Sequence, residues 1–308
     1  MKNNKPMNPV KPYEIQKIED GIYEVFIPGD EVKKKLDNAL NTLSGEIIPD
    51  NEKTHNIPTL FDMGKYIHKQ SIITSKNIRG ERNLLELPIA NYSKTQNPGN
   101  NYVTYDDPEK HFSSSMGTAD GALNGLDERI LWGVISRSLI IYRGYLISFF
   151  TIYDVMKELG INPGGGNRKI IKKSLDKLGG AMFSTSKYIS RDKEKNETIT
   201  KGKKIPLFMG SGVEIKTYER NREMIRYLFV VNKFFEGNFL YNRLVFLNND
   251  RYLQIKNDTT RRTWAYLTVK LGKVHNFYSE QLNSLCKKVS INDNKESHRI
   301  ARLKESVQ

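Results

Sequence analysis

The chain has one cysteine, Cys286, five scattered histidines and no long apolar run, and each shortage removes a class of protein. A single cysteine excludes an internal disulfide and any cysteine-based structural zinc site, and its place on an apolar helix face reads as buried and inert. His55, His68, His111, His275 and His298 form neither a His-x-His pair nor an HExxH helix, so no metal site is expected. Nothing approaches the roughly 20 apolar residues needed to span a bilayer. The N-terminus, MKNNKPMNPVKPYE, lacks the apolar stretch of a secretory signal. A soluble, cytoplasmic protein with no membrane partner is expected. The stretch GGGNRK, residues 164–169, lacks the GxxxxGK[ST] spacing that cradles nucleotide phosphates and reads as a turn before a helix. Asp106 and Asp107 read as a solvated acidic turn. Tyrosines are plentiful, but tyrosine-based DNA nicking also needs a metal or a basic cluster to polarise the phosphate, and no local motif supplies the metal. No catalytic residue, metal or cofactor is assigned, and the chain reads as a protein that is not an enzyme.

What the chain does have is positive charge. Its formal net charge is +14, with a pI near 9.5, and such a field draws a polyanion. At 308 residues it is long enough for two domains, each with its own core.

The first hundred residues are polar and broken by prolines and asparagines, with one helical stretch expected from about Asp30 to Leu43. Near the end of this arm Leu84, Leu85, Leu87 and Ile89 form an apolar cluster expected to be a short docking strand. From Asn97 to Gly125 the Gly, Ser and Asn content predicts a long irregular connection.

A first unit then begins. Ile130, Leu131, Val134 and Ile135 fall on one face of a helix over Leu126 to Leu139, with Asp127 and Glu128 at its positive dipole end. After a short strand at Leu146 to Phe150, Thr151 is placed to cap a helix, with Asp154 completing a capping box. Ile152, Val155, Met156 and Leu159 follow the i, i+3, i+4, i+7 stencil until Gly160 stops it. The next helix, Asn167 to Leu178, turns Ile171, Leu175 and Leu178 inward and Arg168, Lys169, Lys172, Lys173 and Lys177 outward, with only Asp176 to offset them. So basic a helix suits the phosphate-walled major groove. Period-two alternation from Ala181 to Ile189, a polar tip RDKEKNETITKGKK and a return from Ile205 to Tyr218 predict a β wing carrying Lys187 and Lys203. Met224 to Val231 and Phe239 to Phe246 are expected to extend that sheet, either supporting the wing or offering a self-association edge.

The opening pattern returns. Trp264, Leu267 and Leu271 mark one face of a helix from Thr260 to Gly272, with Arg261 and Arg262 on the other. Ser279 is placed to cap a helix whose Leu282, Leu285, Cys286 and Val289 repeat the stencil of the first unit. A last helix, from about Asn294, directs Ile300, Leu303 and Val307 inward and Lys295, His298, Arg299 and Arg302 outward. A second wing would start at Gln308, where the chain stops, so that wing is expected to be absent or shortened.

The order of GERNLLELPI, LDERILWGVISRSL, FFTIYDVMKELG and a basic helix ending KSLDKLGG resembles the plasmid replication initiators of the RepA type. NFLYNRLVFLNNDRYLQIKNDTTRRTWAYL is similar to the segment that joins the two winged helices of those initiators. The resemblance covers roughly Gly80 to Gln308. It implies binding to repeated origin sites (iterons), help in opening an AT-rich stretch, and recruitment of host replication proteins such as a helicase loader or sliding clamp. It also implies plasmid copy control as a theme and places Arg168, Lys169, Lys172 and Lys173 on one recognition helix and Lys295, Arg299 and Arg302 on another. In the arm, Leu60 and Phe61 of IPTLF are similar to the Leu-Phe peptides that engage sliding clamps.

The sequence therefore predicts an α+β protein of two tandem winged helix-turn-helix units, the first with an extended wing, behind a partly disordered arm. The expected divisions are 1–80, 81–257 and 258–308. The expected DNA-contacting residues are Asn167, Arg168, Lys169, Lys172, Lys173, Lys177, Lys187, Lys203, Lys295, His298, Arg299 and Arg302, with double-stranded origin DNA as partner and a homodimer possible. The rival readings are a winged-helix transcriptional regulator, a nicking or priming enzyme, and a non-specific packaging protein.

Overall fold

The computed structural model describes residues 15–19, 22–25, 75–92, 101–107, 111–142, 145–191, 194, 196–209, 213–219, 222–240, 244–271, 279–289, 291 and 295–307. The helix expected at Asp30 to Leu43, and Leu60 with Phe61, lie outside these residues. The fold is α+β, built on three small sheets that are antiparallel throughout except for one pair.

The largest sheet has six strands in the order β1-β2-β6-β7-β11-β10: β1 (Ile15–Glu19), β2 (Ile22–Val25), β6 (Leu139–Tyr142), β7 (Tyr145–Thr151), β11 (Arg222–Val230) and β10 (Val213–Glu219). The two strands from the N-terminal arm join it through a parallel pairing of β2 with β6. Its centre is β7, YLISFFT, buried along its whole length, as a continuous apolar run requires. A four-stranded sheet runs β4 (Tyr102–Asp107), β5 (Phe112–Gly117), β8 (Met182–Arg191) and β9 (Glu197–Pro206). A third sheet pairs β3 (Asn77–Glu81) with β12 (Leu244–Asn248).

Several local expectations change. The cluster Leu84, Leu85, Leu87 and Ile89 is buried, but its first half is a short helix, α1 (Arg82–Glu86), with the Glu81 carboxylate accepting from Leu84 N at 2.8 Å. The irregular connection expected from Asn97 to Gly125 contains the β4–β5 hairpin, whose Val103 and Tyr105 turn into the core. Phe239 to Phe246 is not a strand: helix α5 (Lys233–Leu240) ends there and β12 begins, followed by the short helix α6 (Asn249–Gln254).

The wing differs most. Its return strand is β9, and the expected return, Ile205 to Tyr218, is split between two sheets. Leu207 N bonds Ala181 O at 2.8 Å while Met209 N bonds Val230 O at 2.8 Å, so the chain crosses from one sheet to the other at buried Leu207 and Phe208. β11 then pairs with β7 and β10, not with the wing. Within β8 the alternation also breaks. Register shifts flank Thr185, whose Oγ1 is bonded to Lys187 N at 3.2 Å, and the bulge brings Tyr188 to the buried side with Phe183.

The helices follow local chemistry. α2 (Gly125–Ile130) is capped by Asn124 and Asp127 in a reciprocal box, then loosens into a π turn at Leu131–Ile135 and a 3-10 turn at Ser136–Ser138. Its side of Gly125 has no room for a Cβ, because Asp258 of a later helix lies against it. One large core joins all three sheets, and a small one holds Tyr266, Cys286, Val289, Ile291 and Leu303.

Candidate nucleic-acid interface

Thr151 ends β7 and caps α3 (Ile152–Glu158): its Oγ1 accepts from Asp154 N at 3.1 Å, and Asp154 Oδ2 accepts from Thr151 N at 2.8 Å. Val155 and Met156 face the core, and Gly160 leaves the helix at φ +64°, the left-handed conformation that glycine adopts without a Cβ penalty. Five residues on, α4 (Gly165–Gly179) begins, two residues earlier than its apolar pattern indicates. This is the helix, turn and basic helix that the sequence predicts.

Ile171, Leu175 and Leu178 fix the inner face of α4. Beside them lies a polar anchor. Ser174 Oγ hydrogen-bonds the buried Asp127 of α2, and Lys177 Nζ reaches Asp127 Oδ2 at 3.2 Å and Ala122 O at 2.5 Å. Lys177 is only 7% exposed, so it is a strut between α4 and α2 and is removed from the outward basic set. Asp127, expected only to complement a helix dipole, is the hub of that anchor, a role that depends on a residue 50 positions away.

Arg168, Lys169, Lys172 and Lys173 are exposed on the outer side of α4. Asn167 is half-buried and donates to Asn162 O at 2.9 Å, closing the turn. Lys172 pairs with Glu214 of β10 at 2.6 Å, and Tyr227 OH donates to the same carboxylate at 3.1 Å. The hydrogen bond and charge of Glu214 raise the Lys172 ammonium above its ordinary value. Asp176 is also raised, first by partial burial and further by Glu214 and Asp120. Arg168, Lys169 and Lys173 have no ion-pair partner among the described residues. On the β8–β9 hairpin, Lys187 and Lys203 are exposed, as are Lys201 and Lys204, which the sequence reading passed over.

The second candidate set lies on α9 (Glu296–Val307) and its approach. Lys295 and His298 are exposed, Arg299 and Arg302 half-buried, and Leu303 is buried. Arg299 therefore does not project as Lys169 does. The preceding helix, α8 (Leu282–Lys288), is capped at Gln281 with no side-chain bond, and Ser279 lies outside it. Glu280 organises this region: it accepts from Tyr266 OH at 2.8 Å and Ser284 Oγ at 2.7 Å and pairs with Lys288.

Helix α7 (Asp258–Leu271) reverses its expected faces. Arg261 and Arg262, expected outside, are buried, and Trp264 is half-buried. Arg262 bonds Leu87 O and pairs with buried Glu128 at 3.4 Å, while Tyr92 OH hydrogen-bonds the same carboxylate. Arg261 satisfies Tyr252 O, Ile255 O and Asp258. The cations are inside because carbonyls and Glu128, remote in sequence, are there to receive them.

No helix among the described residues is long and apolar enough to cross a membrane, and no group of three or more His, Cys, Asp or Glu among them is placed to hold a metal. No protein-family model and no curated protein matches the chain. Two crystal structures of domains 2 and 3 of RctB are similar to it. One is 13% identical with a TM-score of 0.48, covering 73% of this chain and 83% of that one. The other is 11% identical with a TM-score of 0.39, covering 71% and 79%. A likeness this slight carries no argument about what this chain binds.

Proposed function

We propose that the protein is a replication initiator that binds duplex DNA sequence-specifically through α4. The observation that carries this reading is the exposed set Arg168, Lys169, Lys172 and Lys173 on a helix held rigidly by Asp127, Ser174 and Lys177. Rigid placement favours base reading over diffuse charge attraction, because discrimination depends on fixed donor geometry. The β8–β9 hairpin with Lys187 and Lys203 supplies phosphate contacts, which position the protein without reading sequence. In the finer form of the proposal, α3–α4 and α8–α9 belong to two winged-helix units that read successive parts of one repeat in a plasmid origin. The resemblance of residues 80–308 to RepA-type initiators supports that form, as does the repeated apolar stencil. Origin opening, recruitment of a host loader or of a clamp through Leu60 and Phe61, and copy control by a homodimer belong to the same proposal. The protein acts by binding, with no reaction of its own, so supercoiled plasmid incubated with it and magnesium stays supercoiled.

The test is selection of bound duplexes from a random library at near-physiological salt, where non-specific binding is weak. An asymmetric motif of about two helical turns supports tandem reading. A palindrome supports a dimeric transcriptional regulator instead, and no enrichment reduces the charge to a general nucleic-acid grip.

A further inference from the structure

Ile170 is 55% exposed at the edge of the basic surface of α4, between Lys169 and the buried Ile171 in sequence. Two adjacent residues of a helix point about 100° apart, so one of this pair can lie deeper in the core than the other. Ile171 does, at 1% exposure. Of the exposed side chains of the helix, Lys169 and Lys173 lie nearest to Ile170, and Arg168 and Lys172 point to the far side. Toward the N-terminal end of its flank the surface is bare: a Cβ built on Gly165 or Gly166 meets nothing within 4 Å among the described residues. Ile170 is thus an exposed apolar group at the edge of the basic surface, with Lys169 and Lys173 on one side, a cavity lined by Asp120, Asn124, Leu126 and Asp127 on the other, and open space toward Gly165 and Gly166.

We propose that Ile170 reads the C5-methyl group of a thymine in the major groove. This rests on the duplex-binding reading of α4. The exposed cations of the helix select the partner, since a polyanion is the surface that Arg168, Lys169 and Lys173 complement. Of the base edges in the major groove only thymine presents a methyl group, so an isoleucine that reaches the groove floor distinguishes thymine from the other bases by apolar contact. The contact also removes a β-branched apolar side chain from water at a position where packing does not hold it.

The experiment uses the full chain and a duplex taken from the library selection. Each thymine of the selected site is replaced singly by uracil, which deletes only the methyl group, and affinity is measured for the wild type and for Ile170→Ala. One thymine position should show a loss on the order of fourfold in the wild type, the effect of burying one methyl-sized group. Ile170→Ala should lose affinity similarly on thymine DNA and show no further loss with uracil at that position. Ile170→Val should retain part of the sensitivity. If no thymine responds, or if the response persists unchanged in Ile170→Ala, the assignment is wrong although the protein still reads DNA. If selection yields no motif, the duplex-reading function fails and takes this contact with it. Circular dichroism of Ile170→Ala should match the wild type, since the side chain lies outside the core; a lost helical signal would contradict its placement.

Discussion

The helix pairs α3–α4 and α8–α9 share an apolar stencil but are anchored differently. Behind α4 stand the large core and a buried anchor of Asp127, Ser174 and Lys177. Behind α9 stands a cluster around Tyr266, Cys286, Val289, Ile291 and Leu303, roofed by Glu280 and Lys288. The second pair packs on α7, whose first half is locked into the large core by Arg262 and whose second half carries Tyr266 into the small one, and Ser284 of α8 also meets Tyr105 of β4. The same stencil can therefore serve a rigid platform or a lightly held one, and the side chains beyond the stencil decide which.

The largest expected effect tests the lock. Arg262→Met strands Glu128, buried at 2% exposure, and should cost about 3–5 kcal/mol, read as a lowered denaturation midpoint. A cost under about 1 kcal/mol would show that water replaces the guanidinium there.

Truncation of the two cores comes next. Leu175→Ala should cost about 2–5 kcal/mol and lower the global midpoint. Leu303→Ala should fall at the low end of that range and release amide-exchange protection mainly in α8 and α9. Equal, global loss from both would erase the distinction between the cores.

A pair of lysines on one helix separates support from contact. Lys177→Met should destabilise by about 1–3 kcal/mol, because it unpairs buried Asp127. Lys169→Met should change stability by no more than about 0.5 kcal/mol. It should, however, flatten the salt dependence of DNA binding by about one unit. The reverse pattern would return Lys177 to the contact surface.

The smallest effect concerns pH. Burial pushes the Glu86 carboxyl up, but Lys270, 2.8 Å away on α7, and Arg82 outweigh it and hold the group below its ordinary 4.5. Because the folded value is the lower one, this contribution is fully present above pH 4.5 and is lost as pH falls through the folded value. Glu86→Gln should therefore lose less stability on acidification than the wild type, in denaturation curves taken from pH 6 down to about 3. Parallel curves would show that the pair does not hold α7.

Much of the site was legible before any tertiary contact was known. The Thr151 box, the turn at Gly160 and the inward face of α4 depend on residues within four positions of one another, which the sequence displays directly. The β4–β5 hairpin was harder to see, because its Ser and Asp residues mimic a loop while only Val103, Tyr105 and Met116 carry the buried face.

By itself the sequence determined where α3 starts and stops, at Thr151 and Gly160, which side of α4 is basic, and the chain's net charge of +14. Tertiary structure alone decided that β11 pairs with β7, that Lys177 is a strut, and that Arg262 is inside. Periodicity fixes which residues share a face. Whether a cation on that face meets water or a buried carboxylate such as Glu128, 134 positions away, is set by packing between distant segments.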